Sequence, residues 1–203
     1  MLAGVTACGG TDPSGYAAHD PCAALVVSSA AATAVERDGI ADALALWRGR
    51  GVSAFDQAAP GQAIGAAPTA ASEPPGPTPG SMPGPTPEPT IDGAPDAAPA
   101  VAAIEIRFDD AGAAFHGIYD PASASVLINR DLVDRTTLAI VIAHELGHVF
   151  GLVHIAAAAR LSLMNPGNLV TPPTDADQRA LEALWGVCAP AGPGQDTRGG
   201  LAP

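Results

Sequence analysis

The chain has 203 residues, enough for one domain with appendages, and 47% of them are hydrophobic, although much of that share is alanine, which packs but buries little area. Its formal net charge is −12 and all nine of its cations are arginines. This balance argues against nucleic acid or an anionic membrane surface as a partner, because phosphate binding needs basic patches. No stretch has the roughly 20 apolar residues of a transmembrane helix.

At the N-terminus, Val5-Thr6-Ala7-Cys8-Gly9 resembles a bacterial lipobox, in which a cysteine after small residues is lipidated on export. The charged region and long apolar run of an export signal do not precede it. Residues 1–19 therefore read either as a lipoprotein-like leader attached through Cys8 or as a plain unstructured one. With Cys8 set aside, Cys22 and Cys188 remain near opposite ends of the globular part, where an exported protein can join them; two buried thiols are the alternative.

The valine-containing run Cys22 to Ser29 predicts a buried strand. From Thr33 to Arg48, Val35, Ile40, Leu44 and Trp47 recur at helical spacing opposite Glu36, Arg37, Asp38 and Asp42, which predicts an amphipathic helix with Trp47 as a core anchor. Gly49 and Gly51 end it, and Val52 to Phe55 is read as a second strand. Residues 59–99 are dominated by proline, glycine, alanine, serine and threonine, as in Pro83-Gly84-Pro85-Thr86-Pro87-Glu88-Pro89, and predict an extended, mobile segment. A linker at this point would leave the first helix without a partner. We therefore expect an insertion in one discontinuous domain built from residues 20–58 and 100–190.

Beyond it, Val101 to Phe108 reads as a strand. Gly117-Ile118-Tyr119-Asp120 and Ser125 to Asn129 read as an edge strand and its partner around a turn at Pro121 to Ser123. Asp134 or Thr136 can cap the next helix, which runs through Leu138, Ile140, Val141 and Ile142. Being apolar on most sides, it should lie beneath a sheet with its far end opening into a cleft.

That far end reads His144-Glu145-Leu146-Gly147-His148-Val149-Phe150-Gly151-Leu152-Val153-His154. His144 and His148, four apart, project from one helical face and can grip one metal ion, for which zinc is the natural occupant. Glu145 lies close enough to take a proton from a metal-bound water without being a ligand. Gly151 permits the positive φ that ends the helix and brings His154 in as third ligand, leaving a fourth position for water. Met164, ten residues beyond His154, is followed by Asn165-Pro166. A closing helix is expected from Thr174, a cap followed by Asp175 and Asp177, to Leu184-Trp185-Gly186, and residues 191–203 should fray.

The histidine motif, the Met164 segment and the acidic-capped helix ending in Trp185-Gly186 together resemble the metzincin zinc metalloproteases, most closely the matrixin branch. The resemblance covers residues 101–186 well and the earlier helix loosely. It implies an α+β fold: a twisted mixed sheet with one antiparallel edge strand, a long zinc-binding helix beneath it, a Met-turn and a C-terminal helix. It implies a zinc endopeptidase with one catalytic Zn2+ on His144, His148 and His154, in which a zinc-bound water attacks the peptide bond with Glu145 as general base and Met164 as an apolar floor. Gly117, Ile118 and Tyr119 would pair with an extended substrate as an added strand. In matrixin propeptides a cysteine caps the zinc; Cys8-Gly9-Gly10-Thr11-Asp12 lacks the proline and arginine of that switch. No tyrosine follows just after Met164, so the tyrosine ligand of some relatives is not expected, and only His19 and His116 remain outside the trio, so no second zinc is expected either; structural Ca2+ stays open. Expected partners are protein or peptide substrates, for a monomer exported to the extracellular space or cell surface and touching a membrane only through Cys8. A zinc-binding module without proteolysis, or a surface protein working through its proline-rich segment, are the other classes.

Overall fold

The computed structural model describes residues 18–59, 102–112 and 114–188. Cys8, most of the expected leader, the proline-rich segment and the tail beyond Cys188 lie outside the described residues. The elements in chain order are β1 (Leu25–Ser28), α1 (Ala34–Arg48), β2 (Phe55–Gln57), β3 (Ala102–Asp109), β4 (Gly117–Asp120), β5 (Ser125–Asn129), α2 (Arg135–Val149) and α3 (Asp175–Trp185).

The five strands form one sheet in the order β2-β1-β3-β5-β4, with parallel pairing throughout except between β5 and the edge strand β4. The fold is thus α+β with a mixed sheet and one antiparallel edge. Because β1 pairs with β3 in the register Val27 to Ile104, residues on either side of 64–100 share one compact unit. The second unit, 64–100, lies outside the described residues.

Alternation along the strands sets the core. Leu25, Val27, Ile104, Ile106, Val126 and Ile128 are buried on one face, while Glu105 is exposed on the other. A period of two puts successive side chains on opposite faces, so one face is apolar. Helices α1 and α2 cover it and pack on each other. Trp47 of α1 is wholly buried, stands edge-on to Phe150 with ring centroids 5.7 Å apart, and donates its indole N–H to the Ala143 carbonyl at 2.9 Å. An aromatic that both fills the core and satisfies its polar tip ties α1 to α2 just before His144.

Three expectations shift. The first strand begins at Leu25 because Asp20 draws Cys22 into a turn, its Oδ1 accepting the Cys22 N–H at 2.8 Å. The second begins at Phe55 because the Val52 N–H turns back to the Trp47 carbonyl, 3.2 Å away. On α1, Val35 is 54% exposed and Glu36 only 6%, the reverse of the expected faces. Glu36 lies one turn before Ile40 on the stripe continued by Ala43, Leu44 and Trp47, and Val35 is about 100° out of phase. Glu36 closes a capping box with Thr33 and accepts from Arg130 Nε at 3.0 Å. Burial alone would raise its pKa; the bonds from Thr33 and Arg130 outweigh that and hold it below the ordinary value.

Cys22 and Cys188 are bonded through their sulfurs, with Cα atoms 5.1 Å apart. Three residues from each cysteine sits a group that caps the C-terminal end of α2. The His19 N–H reaches the Val149 carbonyl at 2.8 Å and the Trp185 indole N–H reaches the Phe150 carbonyl at 2.9 Å. Carbonyls at a helix end have no intrahelical partner, so the segments beside Cys22 and Cys188 satisfy part of this terminus. Among the described residues no helix is long and apolar enough to cross a membrane.

Candidate metal centre

Helix α2 starts at Asp134, whose side chain accepts the Thr137 N–H at 2.8 Å, so Asp134 rather than Thr136 is the cap. From Leu138 to Gly147 every residue is buried, His144 and Glu145 to 1% exposure each. The helix ends at Val149, and Gly151 takes φ of +90°. This left-handed geometry is costly for a residue with a Cβ and lets the chain double back. The Leu152 N–H then bonds the Gly147 carbonyl at 2.9 Å, and the chain returns His154 to the helix.

His154 Nε2 lies 3.2 Å from Nε2 of His144 and 3.2 Å from Nε2 of His148. The other ring nitrogens are held from outside: His144 Nδ1 faces the Leu163 carbonyl and His148 Nδ1 the Leu152 carbonyl, each at 2.8 Å. A carbonyl only accepts, so Nδ1 carries the proton in both rings and Nε2 presents its lone pair to the centre. Burial, reinforced by the neighbouring His148 and His154, pushes the His144 pKa down to about 3 against the raising effect of the Leu163 bond. Burial brings His148 down to about 4, and it also lowers His154. All three rings are neutral near pH 7, the form that ligates. The Nε2 lone pairs of His144 and His148 converge on Nε2 of His154, an all-imidazole donor set that suits a metal ion, and the three histidines can hold one.

Glu145 follows His144 on α2, and its side chain lies against the start of the edge strand. A Cβ built on Gly117 would come within 3.1 Å of Glu145 Cγ and Oε1. The missing side chain at Gly117 is what lets β4 approach the carboxylate. Gly117, Ile118 and Tyr119 pair with Ile128, Leu127 and Val126 on one side. Among the described residues no strand pairs with the other side of β4.

Met164 is wholly buried beneath α2 at Gly147, where an added Cβ would stand 2.5 Å from its sulfur. The turn that carries it is organised by Asp177, the third residue of α3. This buried carboxylate accepts from the Leu163 N–H at 3.0 Å, the Thr174 N–H and hydroxyl at 2.8 Å each, and the Ser162 hydroxyl. In the sequence Asp177 stands out only as an early helical acid, and nothing in a linear pattern says which groups Asn165, Asn168 and Asp177 will meet. Cys22 and Cys188 are bonded to each other and are not part of the histidine cluster.

Asp177 leads to a pH prediction. Burial would raise its pKa, but the four donors prevail and hold it below the ordinary 3.8. A carboxyl with a depressed folded pKa contributes stability above the unfolded value and loses it as pH falls through the folded one. Asp177→Asn should therefore be destabilised by about 2–3 kcal/mol at pH 7, the loss of charge-assisted bonds, with the gap from the parent narrowing as pH drops below 3.8. Urea melts across that range check it, and a gap independent of pH would refute it.

Together these features define an α+β protein with a three-histidine constellation, one ring buried and two half-buried, able to hold a metal ion. Neither the family models nor the curated proteins compared with the chain match it.

Proposed function

We propose that the chain is a zinc-dependent endopeptidase of metzincin type, most similar to the matrixin branch. The observation that carries this reading is the convergence of three neutral imidazoles beside Glu145 at the foot of an edge strand. Zinc is favoured over other ions by the all-imidazole donor set and by spacing. Tetrahedral bonds to nitrogen of about 2.0–2.1 Å set ligands about 3.3–3.4 Å apart, against 3.2 Å for both His154 pairs. When bound, zinc supplies a Lewis acid that brings the pKa of water towards neutrality and polarises a carbonyl.

The chain's own residues supply the rest. His144 and His148 hold fixed tautomers through the Leu163 and Leu152 carbonyls, and His154 completes the set from the loop. Glu145 takes the proton of the attacking water and returns it to the leaving amine. The free side of β4 offers backbone donors and acceptors to an extended peptide, laying its scissile bond beside Glu145. Met164, packed under Gly147, keeps the floor of the helix dry and rigid. The bond between Cys22 and Cys188 supports an exported location, since such bonds persist in oxidising compartments. A monomer with an anchor at Cys8 remains part of the same proposal.

The direct experiment is digestion of an unfolded protein by the full chain, followed by mass spectrometry. Cleavage should stop when a chelator removes the metal and return on adding zinc. Zinc uptake without cleavage would instead identify a binding module, and cleavage unaffected by the chelator would overturn the metal centre.

A further inference from the structure

The three ligands are not held alike. His144 and His148 stand on a buried helix with each Nδ1 pinned by a carbonyl. His154 lies in the loop beyond Gly151, and among the described residues no carbonyl accepts from its ring. Its direction must come from the backbone that carries it. That backbone is clamped at the next residue, Ile155, on both sides. The Ile155 N–H donates to the Met164 carbonyl at 3.0 Å, and the Ile155 carbonyl accepts from Asn165 Nδ2 at 2.8 Å.

Asn165 uses its whole amide for this. Nδ2 also donates to the Arg160 carbonyl at 3.1 Å, and Oδ1 accepts the Ser162 N–H at 3.0 Å. The amide orientation is determined by chemistry: reversing it would set oxygen against two carbonyls and NH2 against an N–H. Asn165 is only 6% exposed, so water does not substitute for these partners. One residue thus closes the loop from 155 to 162 onto the turn whose Leu163 carbonyl orients His144.

We infer that Asn165 is the positioning residue of the third metal ligand: its amide sets the Ile155 backbone and through it the direction of His154. The inference rests on the zinc reading above and adds to it a residue that touches neither metal nor substrate. Groups that orient ligands from behind are worth about 10–100-fold in metal affinity.

The test is a double-mutant cycle on zinc affinity in the full chain, read by competition with a chromophoric chelator. Asn165→Ala should weaken zinc by about 10–100-fold in the parent background and have no further effect once His154→Ala is present. A general loosening of the fold would lower affinity in both backgrounds, since His144 and His148 still bind in the second. Asn165→Ser, whose single, shorter hydroxyl cannot replace the two N–H donors to Ile155 and Arg160 together with the acceptor for the Ser162 N–H, carries the same test where the alanine variant does not fold. Parent affinity in the single variants, or an equal loss in both backgrounds, overturns the inference while leaving the zinc centre standing. A parent chain that takes up no zinc overturns both.

Discussion

Glu145→Gln is expected to abolish peptide hydrolysis, by at least about 100-fold, while zinc binding stays at the parent level. The substitution preserves volume at a side chain 1% exposed and fitted against Gly117, so packing is retained. What it removes is the ability to accept a proton. The three imidazoles that hold the metal are untouched, and their outward bonds to Leu163 and Leu152 do not involve Glu145. Activity and metal content should therefore separate. Product analysis by mass spectrometry, paired with metal analysis of the same sample, checks both; residual hydrolysis near the parent rate would remove Glu145 from the proposed mechanism.

His154→Ala should have the opposite profile, losing the metal and with it everything downstream. Four-ligand structural zinc sites bind with about 10–16 kcal/mol, or about 3 kcal/mol per ligand. Removing one imidazole should then weaken zinc by about 100-fold, leaving the pair on α2. The fold should survive, because His154 is only half-buried and sits on a loop, while the core between sheet and helices does not include it. Zinc content after dialysis, with the melting temperature of the metal-free form as control, measures this. Unchanged zinc would show that the helical pair and some other group suffice. In the metal-free form His154→Ala should melt close to the parent, since the ring is half-buried, lies outside the core and, among the described residues, bonds to no backbone group of its loop.

The strands were legible wherever apolar residues alternate and wherever turns carry their own chemistry. Gly117 to Asp120 and Ser125 to Asn129 have the predicted bounds because the hairpin between them is a local feature. The helical cap at Thr174 was legible for the same reason. Where a boundary depends on a distant partner, nothing in the local sequence marks it. Val52 follows a helix and looks like a strand, but its N–H is spent on Trp47, and only Phe55 reaches the sheet. Glu36 looks solvent-facing until Arg130, 94 residues away, is seen to face it.

At the site the division is equally physical. His144, Glu145 and His148 are arranged by one helical turn, and Gly151 by the positive φ it alone adopts cheaply, so their roles could be read from spacing. Nothing local shows that the Leu163 and Leu152 carbonyls choose the tautomers, or that Gly117 leaves space for a carboxylate from another element. Nor does it show that Asn165 and Asp177 bind the turn beneath the ligands to the rest of the domain. The sequence by itself determined which atoms could serve as ligands and base, because helical geometry is short-range and repeats. The tertiary structure decided which way those atoms point, because orientation is imposed by buried hydrogen bonds between residues far apart in the chain.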